Sequence, residues 1–249
     1  MKINQYLDAT YLKTSLQAGI SEEENLINVE ILLKEAVHFG YKLVMIRPKY
    51  VPFAKQFLKN NHYKTLVGTV IGFHEGNDSL ATKLEEAKSA IKLGADELDF
   101  VINFEEYKKG NLNLIKNEVL EGSKLCLENG KVVKWIIEVA ALKDDEIAAI
   151  SKFIKEIIFE NFGSEATQKV FVKSSTGLYK TENNLPNGAT FETMKLIIEN
   201  AKPLQIKAAG GIRDYVTAVK MIEIGVDRIG TSSSKEICTN ELSSKNSNY

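Results

Sequence analysis

The sequence predicts an α/β fold of the (β/α)8 TIM-barrel type, in a single domain, and three observations lead there. Eight short apolar, β-rich runs alternate with amphipathic segments along the 249 residues, the grammar of strand–helix units that build a parallel sheet. A glycine recurs where an amphipathic segment gives way to the next apolar run, placed to take the left-handed conformation that ends a helix. Finally, no GxGxxG follows the first run, so the runner-up, an open doubly wound sheet, lacks its usual fingerprint, and eight units in this length suit a closed barrel better.

In chain order the candidate strands are 5–10, 42–47, 65–71, 97–102, 132–139, 169–174, 204–208 and 226–230. The second follows the glycine of HFGYKLVMI (38–46), the fourth that of KLGADELDFVI (92–102) and the eighth that of EIGVDRIGT (223–231); in the last two an acidic residue stands two positions after the glycine. Helix starts are marked between them. Ser21 with Glu24 makes a capping box, Asp144 and Asp214 precede helical patterns, and Thr190 opens FETMKLIIEN. The barrel is expected over residues 1–235, with 236–249 a short C-terminal helix and flexible tail.

The 32 basic residues nearly cancel the 33 acidic ones, and no Lys/Arg block stands apart from compensating Glu. There is therefore no electrostatic footprint for nucleic acid or an anionic membrane. The apolar runs fall well short of the roughly 20 residues a membrane span needs, and MKINQYLDAT has no apolar signal core; a cytoplasmic location is expected. Cys126 and Cys238, without any CxxC or Cys/His grouping, read as ordinary reduced thiols rather than metal ligands or a disulfide.

Four candidate strands carry charge where bulky aliphatic side chains normally fill a barrel: Asp99 in ELDFVIN, Lys134 and Glu138 in VVKWIIEVA, Lys173 in VFVKSSTG and Lys207 in LQIKAAGG. A buried ammonium without a partner is costly, so these lysines are paired, near the mouth, or functional. A lysine at a strand end is usually a solvated exit from the sheet. Lys173 and Lys207, however, both adjoin glycine-containing turns at strand ends, on the face where barrel side chains converge. Two ammonium groups in one pocket repel, and repulsion with desolvation lowers the pKa of at least one. A neutral amine attacks carbonyls. This physics leaves a Schiff-base role and a structural one equally open.

STG (175–177), AAGG (208–211) and GTSSS (230–234) each follow a candidate strand and offer backbone N–H groups or hydroxyls without bulk. They suit either tight turns and helix caps or a phosphate, and barrels commonly hold phosphate on the loops after the last two strands. Their pairing with strand-end lysines favours phosphate.

The strings LDATYLK (7–13), ELDFVIN (97–103), KWIIE (134–138), VKSSTG (172–177), GAT (188–190), KAAGGIR (207–213) and RIGTSS (228–233) resemble, in order and spacing, the motifs of the deoxyribose-phosphate aldolases. They span nearly the whole chain, and KAAGGIR begins 34 residues after the lysine of VKSSTG. The resemblance implies a class I aldolase that splits 2-deoxy-D-ribose 5-phosphate reversibly into acetaldehyde and glyceraldehyde 3-phosphate, with no metal and no organic cofactor. Its partner is then a small sugar phosphate, and the family is often a homodimer or a larger homo-oligomer. By the same matching Lys173 forms the imine, Lys207 keeps Lys173 neutral by its charge, Asp99 moves protons, and Lys134 holds Asp99 ionised and oriented. Asp8 and Thr10 line the mouth, phosphate lies against Gly177, Gly210, Gly211, Ser232 and Ser233, and the terminal Tyr249 is a candidate proton relay.

The chain departs from the family pattern at Ala9 (usually His), at Met45 (often Cys), in FHEG at 73–76 (usually an FP motif), and at Val139 (usually Thr). None of these removes the lysines or the acid. His74 reads as a loop-structuring or surface residue. Two other readings remain: a barrel that binds a sugar phosphate without turning it over, and another Schiff-base barrel aldolase or dehydratase. Retention of Lys134, Lys173, Lys207 and Asp99 together argues against the first, because phosphate binding needs only the glycine and serine loops.

Overall fold

The computed structural model describes residues 2–182 and 185–240. Eight strands, β1 (Leu7–Tyr11), β2 (Leu43–Ile46), β3 (Leu66–Ile71), β4 (Glu97–Val101), β5 (Val132–Ile136), β6 (Val170–Lys173), β7 (Gln205–Ala209) and β8 (Arg228–Thr231), close a parallel barrel in sequence order. Closure is made by β8 on β1, with Leu7 opposite Ile229 and Ala9 opposite Thr231. The helices are α1 (Ser15–Ala18), α2 (Glu22–Phe39), α3 (Val51–Asn60), α4 (Leu80–Lys92), α5 (Phe104–Lys108), α6 (Leu112–Glu128), α7 (Asp144–Phe162), α8 (Phe191–Ala201), α9 (Tyr215–Glu223) and α10 (Ser234–Thr239). The boundary expected after residue 235 falls inside α10, whose Ile237 is wholly buried in the main core.

The caps act as the sequence suggests. Ser21 Oγ accepts from Glu24 N while the Glu24 carboxylate accepts from Ser21 N, and Asp214 and Thr190 cap α9 and α8. Asp144 is itself the first residue of α7; Lys143 is the cap, its N–H donating to Glu146. The acidic residue two positions beyond the glycine has a clear purpose. Asp96 accepts from Val67 N (2.8 Å) and Lys55, and Asp227 accepts from Ile206 N (2.8 Å) and Lys202. Each carboxylate ties the entrance of its own strand to the preceding strand, satisfying a backbone donor left over at the sheet's rim.

Outward-facing strand residues meet the helices. Trp135 on β5 lies 5.0 Å from the Phe100 ring, donates to Ser123 Oγ on α6 and packs over Gly122, where a Cβ would come within 2.7 Å of the indole. Inside, the lumen has two characters. On the β2–β3 side Leu12, Leu43, Met45 and Val70 form an apolar plug; on the other side charged residues of β4–β8, joined by Asp8 of β1, face inward. Met45, where the family often has Cys, is wholly enclosed in that plug.

All strands but β7 are shorter than their apolar runs, and the first and fifth differ in kind. The first run opens with a 3-10 turn at Ile3–Tyr6. The fifth strand stops at Ile136, and Glu138, expected as a strand residue, stands instead at φ 55°. Among the described residues no helix is long and apolar enough to cross a membrane. Cys126 is buried and Cys238 half-buried, and burial pushes their thiols up to about 12 and about 11, so both remain protonated and unreactive.

Candidate active site

The strand periodicity brings charged side chains from six strands into one half of the lumen. Lys173 and Lys207 are register partners on β6 and β7. Both donate to the same oxygen, Asp99 Oδ2, at 2.9 and 2.8 Å. Lys134 on β5, directly opposite Asp99 in the ladder, takes the other carboxylate oxygen at 3.0 Å and reaches Asp8 Oδ2 at 3.1 Å. Asp8 Oδ2 in turn lies 2.6 Å from Lys207 Nζ. At the strand entrances Arg228 closes the cluster, with Nε 2.7 Å from Asp8 Oδ1 and Nη2 3.2 Å from Glu97 Oε2, while Glu97 Oε2 is 2.6 Å from Lys134 Nζ.

Such a network persists in a buried lumen because the charges satisfy one another. Burial by itself would raise the Asp99 carboxyl, but Lys134, Lys173 and Lys207 more than offset this and hold it well below the usual carboxylate range. Asp8 is lowered in the same way, burial being outweighed by Arg228, Lys134 and Lys207. Burial would lower Lys134, yet Asp8, Asp99 and Glu97 carry it above the ordinary lysine value. Lys207 goes the other way: burial pushes it down to about 8, Lys134 and Lys173 adding to the shift and Asp8 and Asp99 opposing it. Lys207 is thus a depressed ammonium, with burial as the largest cause and the neighbouring Lys134 and Lys173 adding to it.

Lys173 is the member of the cluster that faces a cavity of about 170 Å3, which it lines together with Thr10, Thr176, Gly177, Gly210, Gly211 and Ser232. Gly177, Gly210 and Gly211 all have φ between 76° and 86°, a backbone that side-chain-bearing residues rarely adopt. Gly188 packs against Gly210, and a Cβ on it would meet the Gly210 carbonyl oxygen at 2.5 Å. Gly188→Ala should therefore displace the Gly210 turn and raise KM by about tenfold or more. An unchanged KM in a variant of unchanged melting temperature would contradict this.

Two expected substrate contacts need correction. Asp8 does not line the mouth; it is fully buried and engaged by Lys134, Lys207 and Arg228, because its alternate position on β1 points to the closed lumen. Ser233 is buried, its N–H donates to Thr231 Oγ1, and only Ser232 of the two lines the cavity. Thr10 lines the cavity as expected, its hydroxyl donating to Asp8 O. Tyr249 lies outside the described residues.

Three residues were not picked out by their strand positions. Glu97 and Arg228 open the strings ELDFVIN and RIGTSS without an assigned role, although Glu97 shares Asp99's face by the two-residue alternation. Arg213 also lines the cavity, the guanidinium-bearing residue there. Glu138, noticed as charged but placed in a strand, accepts from Ser175 Oγ at 2.6 Å and from Thr176 N and Oγ1, which orders the turn after Lys173. A larger cleft of about 980 Å3, with His74, Phe104 and Tyr179 among its lining, shares Gly177 and Asn187 with the Lys173 cavity. Among the described residues no group of three His, Cys, Asp or Glu is arranged to hold a metal ion.

The model of the DeoC/LacD family of aldolases matches residues 5–240. The deoxyribose-phosphate aldolase of Thermococcus kodakarensis is 37% identical over 237 residues, covering 95% of each chain. That of Streptococcus pneumoniae is 36% identical over 246 residues, covering 97% of this chain and 98% of the relative. Among solved structures, the tetrameric deoxyribose phosphate aldolase of Aeropyrum pernix superposes with a TM-score of 0.75 at 28% identity, covering 95% of this chain and 89% of that one.

Proposed function

The chain belongs to the DeoC/LacD family of aldolases, and on that premise we propose how its site performs the reaction. The protein is a carbon–carbon lyase that cleaves 2-deoxy-D-ribose 5-phosphate reversibly to D-glyceraldehyde 3-phosphate and acetaldehyde, in keeping with its deoxyribose-phosphate aldolase relatives. The observation that carries the mechanism is the pair of register-matched lysines sharing one oxygen of Asp99 beneath a glycine-walled cavity.

Lys173 Nζ, once neutral, adds to the C1 aldehyde of the open-chain sugar, and loss of water leaves an iminium. The C3 hydroxyl then gives up its proton, the C2–C3 bond breaks, and its electron pair flows into the iminium to form an enamine. Glyceraldehyde 3-phosphate leaves. Protonation of the enamine at C2 and hydrolysis of the imine release acetaldehyde and restore Lys173. Asp99, kept ionised by three ammonium groups, accepts and returns protons, through an ordered water where the substrate atom lies beyond direct reach. Lys207, poised at about 8, supplies the charge that favours a neutral Lys173 and exchanges protons near neutral pH. Lys134 fixes Asp99. Phosphate sits against Gly177, Gly210, Gly211 and Ser232, with the Arg213 guanidinium as its countercharge.

The enzyme acts in the cytoplasm without a resident metal or organic cofactor, and assembles as a homo-oligomer, as its tetrameric relative does. Tyr249 is proposed to reach the mouth as a proton relay. The deciding test is borohydride reduction in the presence of deoxyribose 5-phosphate, followed by peptide mass analysis. The expected product is a reduced adduct on Lys173. Binding with no adduct would make the chain a sensor, and an adduct formed only with other sugar phosphates would make it a different aldolase.

A further inference from the structure

The charged lumen continues well past the residues that can touch a substrate. Seven groups are in direct contact: Asp8 from β1, Glu97 and Asp99 from β4, Lys134 from β5, Lys173 from β6, Lys207 from β7 and Arg228 from β8. Glu138 faces Lys173 from beyond β5, but its carboxylate is taken by Ser175 and Thr176 rather than by any cation of the cluster. Four cations therefore share three carboxylates, and the proton held least firmly is one on an amine. Arg228 sits at the entrance of β8 and Glu97 at the entrance of β4, the end of the barrel opposite the cavity. Neither lines that cavity.

Resting on the reading of Lys173 as the imine-forming amine, we infer that Arg228 and Glu97 are positioning residues that set, from the end of the lumen opposite the cavity, the pH at which this amine becomes nucleophilic. The path runs through shared carboxylates. Arg228 holds Asp8 Oδ1 at 2.7 Å, and the other oxygen of Asp8 lies 2.6 Å from Lys207; each unit of charge Arg228 withdraws from Asp8 is unavailable to stabilise the Lys207 ammonium. Glu97 acts in the opposite sense. It takes up part of the charge of Lys134 and Arg228, which would otherwise lean on Asp8 and Asp99. Removing the arginine's charge leaves three cations on three carboxylates, and every amine keeps its proton to higher pH. Removing the charge of Glu97 leaves four cations on two carboxylates, and the amines release protons at lower pH.

The two ends of one salt bridge must then shift the same profile in opposite directions, which mere loss of packing would not do. The experiment measures the rate of borohydride-trapped adduct on Lys173 against pH for the full chain and for Arg228→Met, Glu97→Gln and the double variant. The acid limb should move up by about half a unit to one unit in Arg228→Met, and down by a similar amount in Glu97→Gln. It should return close to the wild-type position in the double variant, which restores the wild-type excess of one cation over the carboxylates. Arg228→Lys, keeping the charge, should restore most of the wild-type profile. If Arg228→Met does not fold, Glu97→Gln and the double variant decide: a limb that stays in place in Glu97→Gln, or moves upward, overturns the inference. Absence of any Lys173 adduct in the wild type would instead overturn the functional reading, whereas adducts with one common pH profile in all variants would overturn only this role of Arg228 and Glu97.

Discussion

Lys173→Ala is expected to lose activity by about four orders of magnitude or more and to give no borohydride-dependent adduct, because covalent catalysis cannot be shared out among the remaining groups. The fold should survive. Lys134 and Lys207 also contact Asp99, so the substitution should leave no buried carboxylate without a cation, the situation that makes broken buried pairs costly. Lys207 lies in reach of the same carboxylate oxygen but is fully buried, and it should not take over imine formation. Circular dichroism and melting temperature check the first point, and peptide mapping the second. Turnover retained in a well-folded Lys173→Ala protein would remove the proposed mechanism altogether.

Lys207→Leu should have the next largest effect. Its charge is one of the three on Asp99; without it the carboxylate is left to Lys134 and Lys173, and the Lys173 ammonium is favoured more strongly. The acid limb of the rate should shift upward by about one to two pH units, a loss of roughly ten- to a hundredfold at neutral pH that alkaline conditions partly restore. The stability consequence has its own sign. In the native protein burial lowers Lys207 to about 8, so folding is penalised while that amine is charged. The penalty is full below about pH 8 and fades as pH rises toward the ordinary lysine value, a dependence that should disappear in the variant. A rate that stays low at alkaline pH would mean that Lys207 acts mainly by transferring a proton itself.

The linear pattern was enough for the barrel and for picking out the charged residues that stand inside its apolar strands. Eight apolar runs in alternation with capped amphipathic segments leave few ways to bury that much surface in 249 residues, and the caps at Ser21, Thr190 and Asp214 are local hydrogen-bonding chemistry that needs no tertiary information. Lys173 and Lys207 were legible because a charge inside an apolar run is anomalous wherever it occurs, and Gly177, Gly210 and Gly211 because they follow candidate strands in turns without bulk; the structure adds that all three take positive φ. What the linear pattern did not carry is which side chains meet across the lumen. Asp8, Glu97 and Arg228 lie on β1, β4 and β8, and only closure of the sheet brings Arg228 to Asp8, a contact spanning 220 residues. Closure also decides that Asp8 is sealed within the lumen, that Met45 is enclosed by Leu12, Leu43 and Val70, and that the fifth strand stops before Glu138, whose carboxylate then turns to hold the loop after Lys173. Local sequence sets the backbone and the chemistry of each group. Pairing between distant charges depends on strand register and barrel geometry, which are properties of the whole closed sheet.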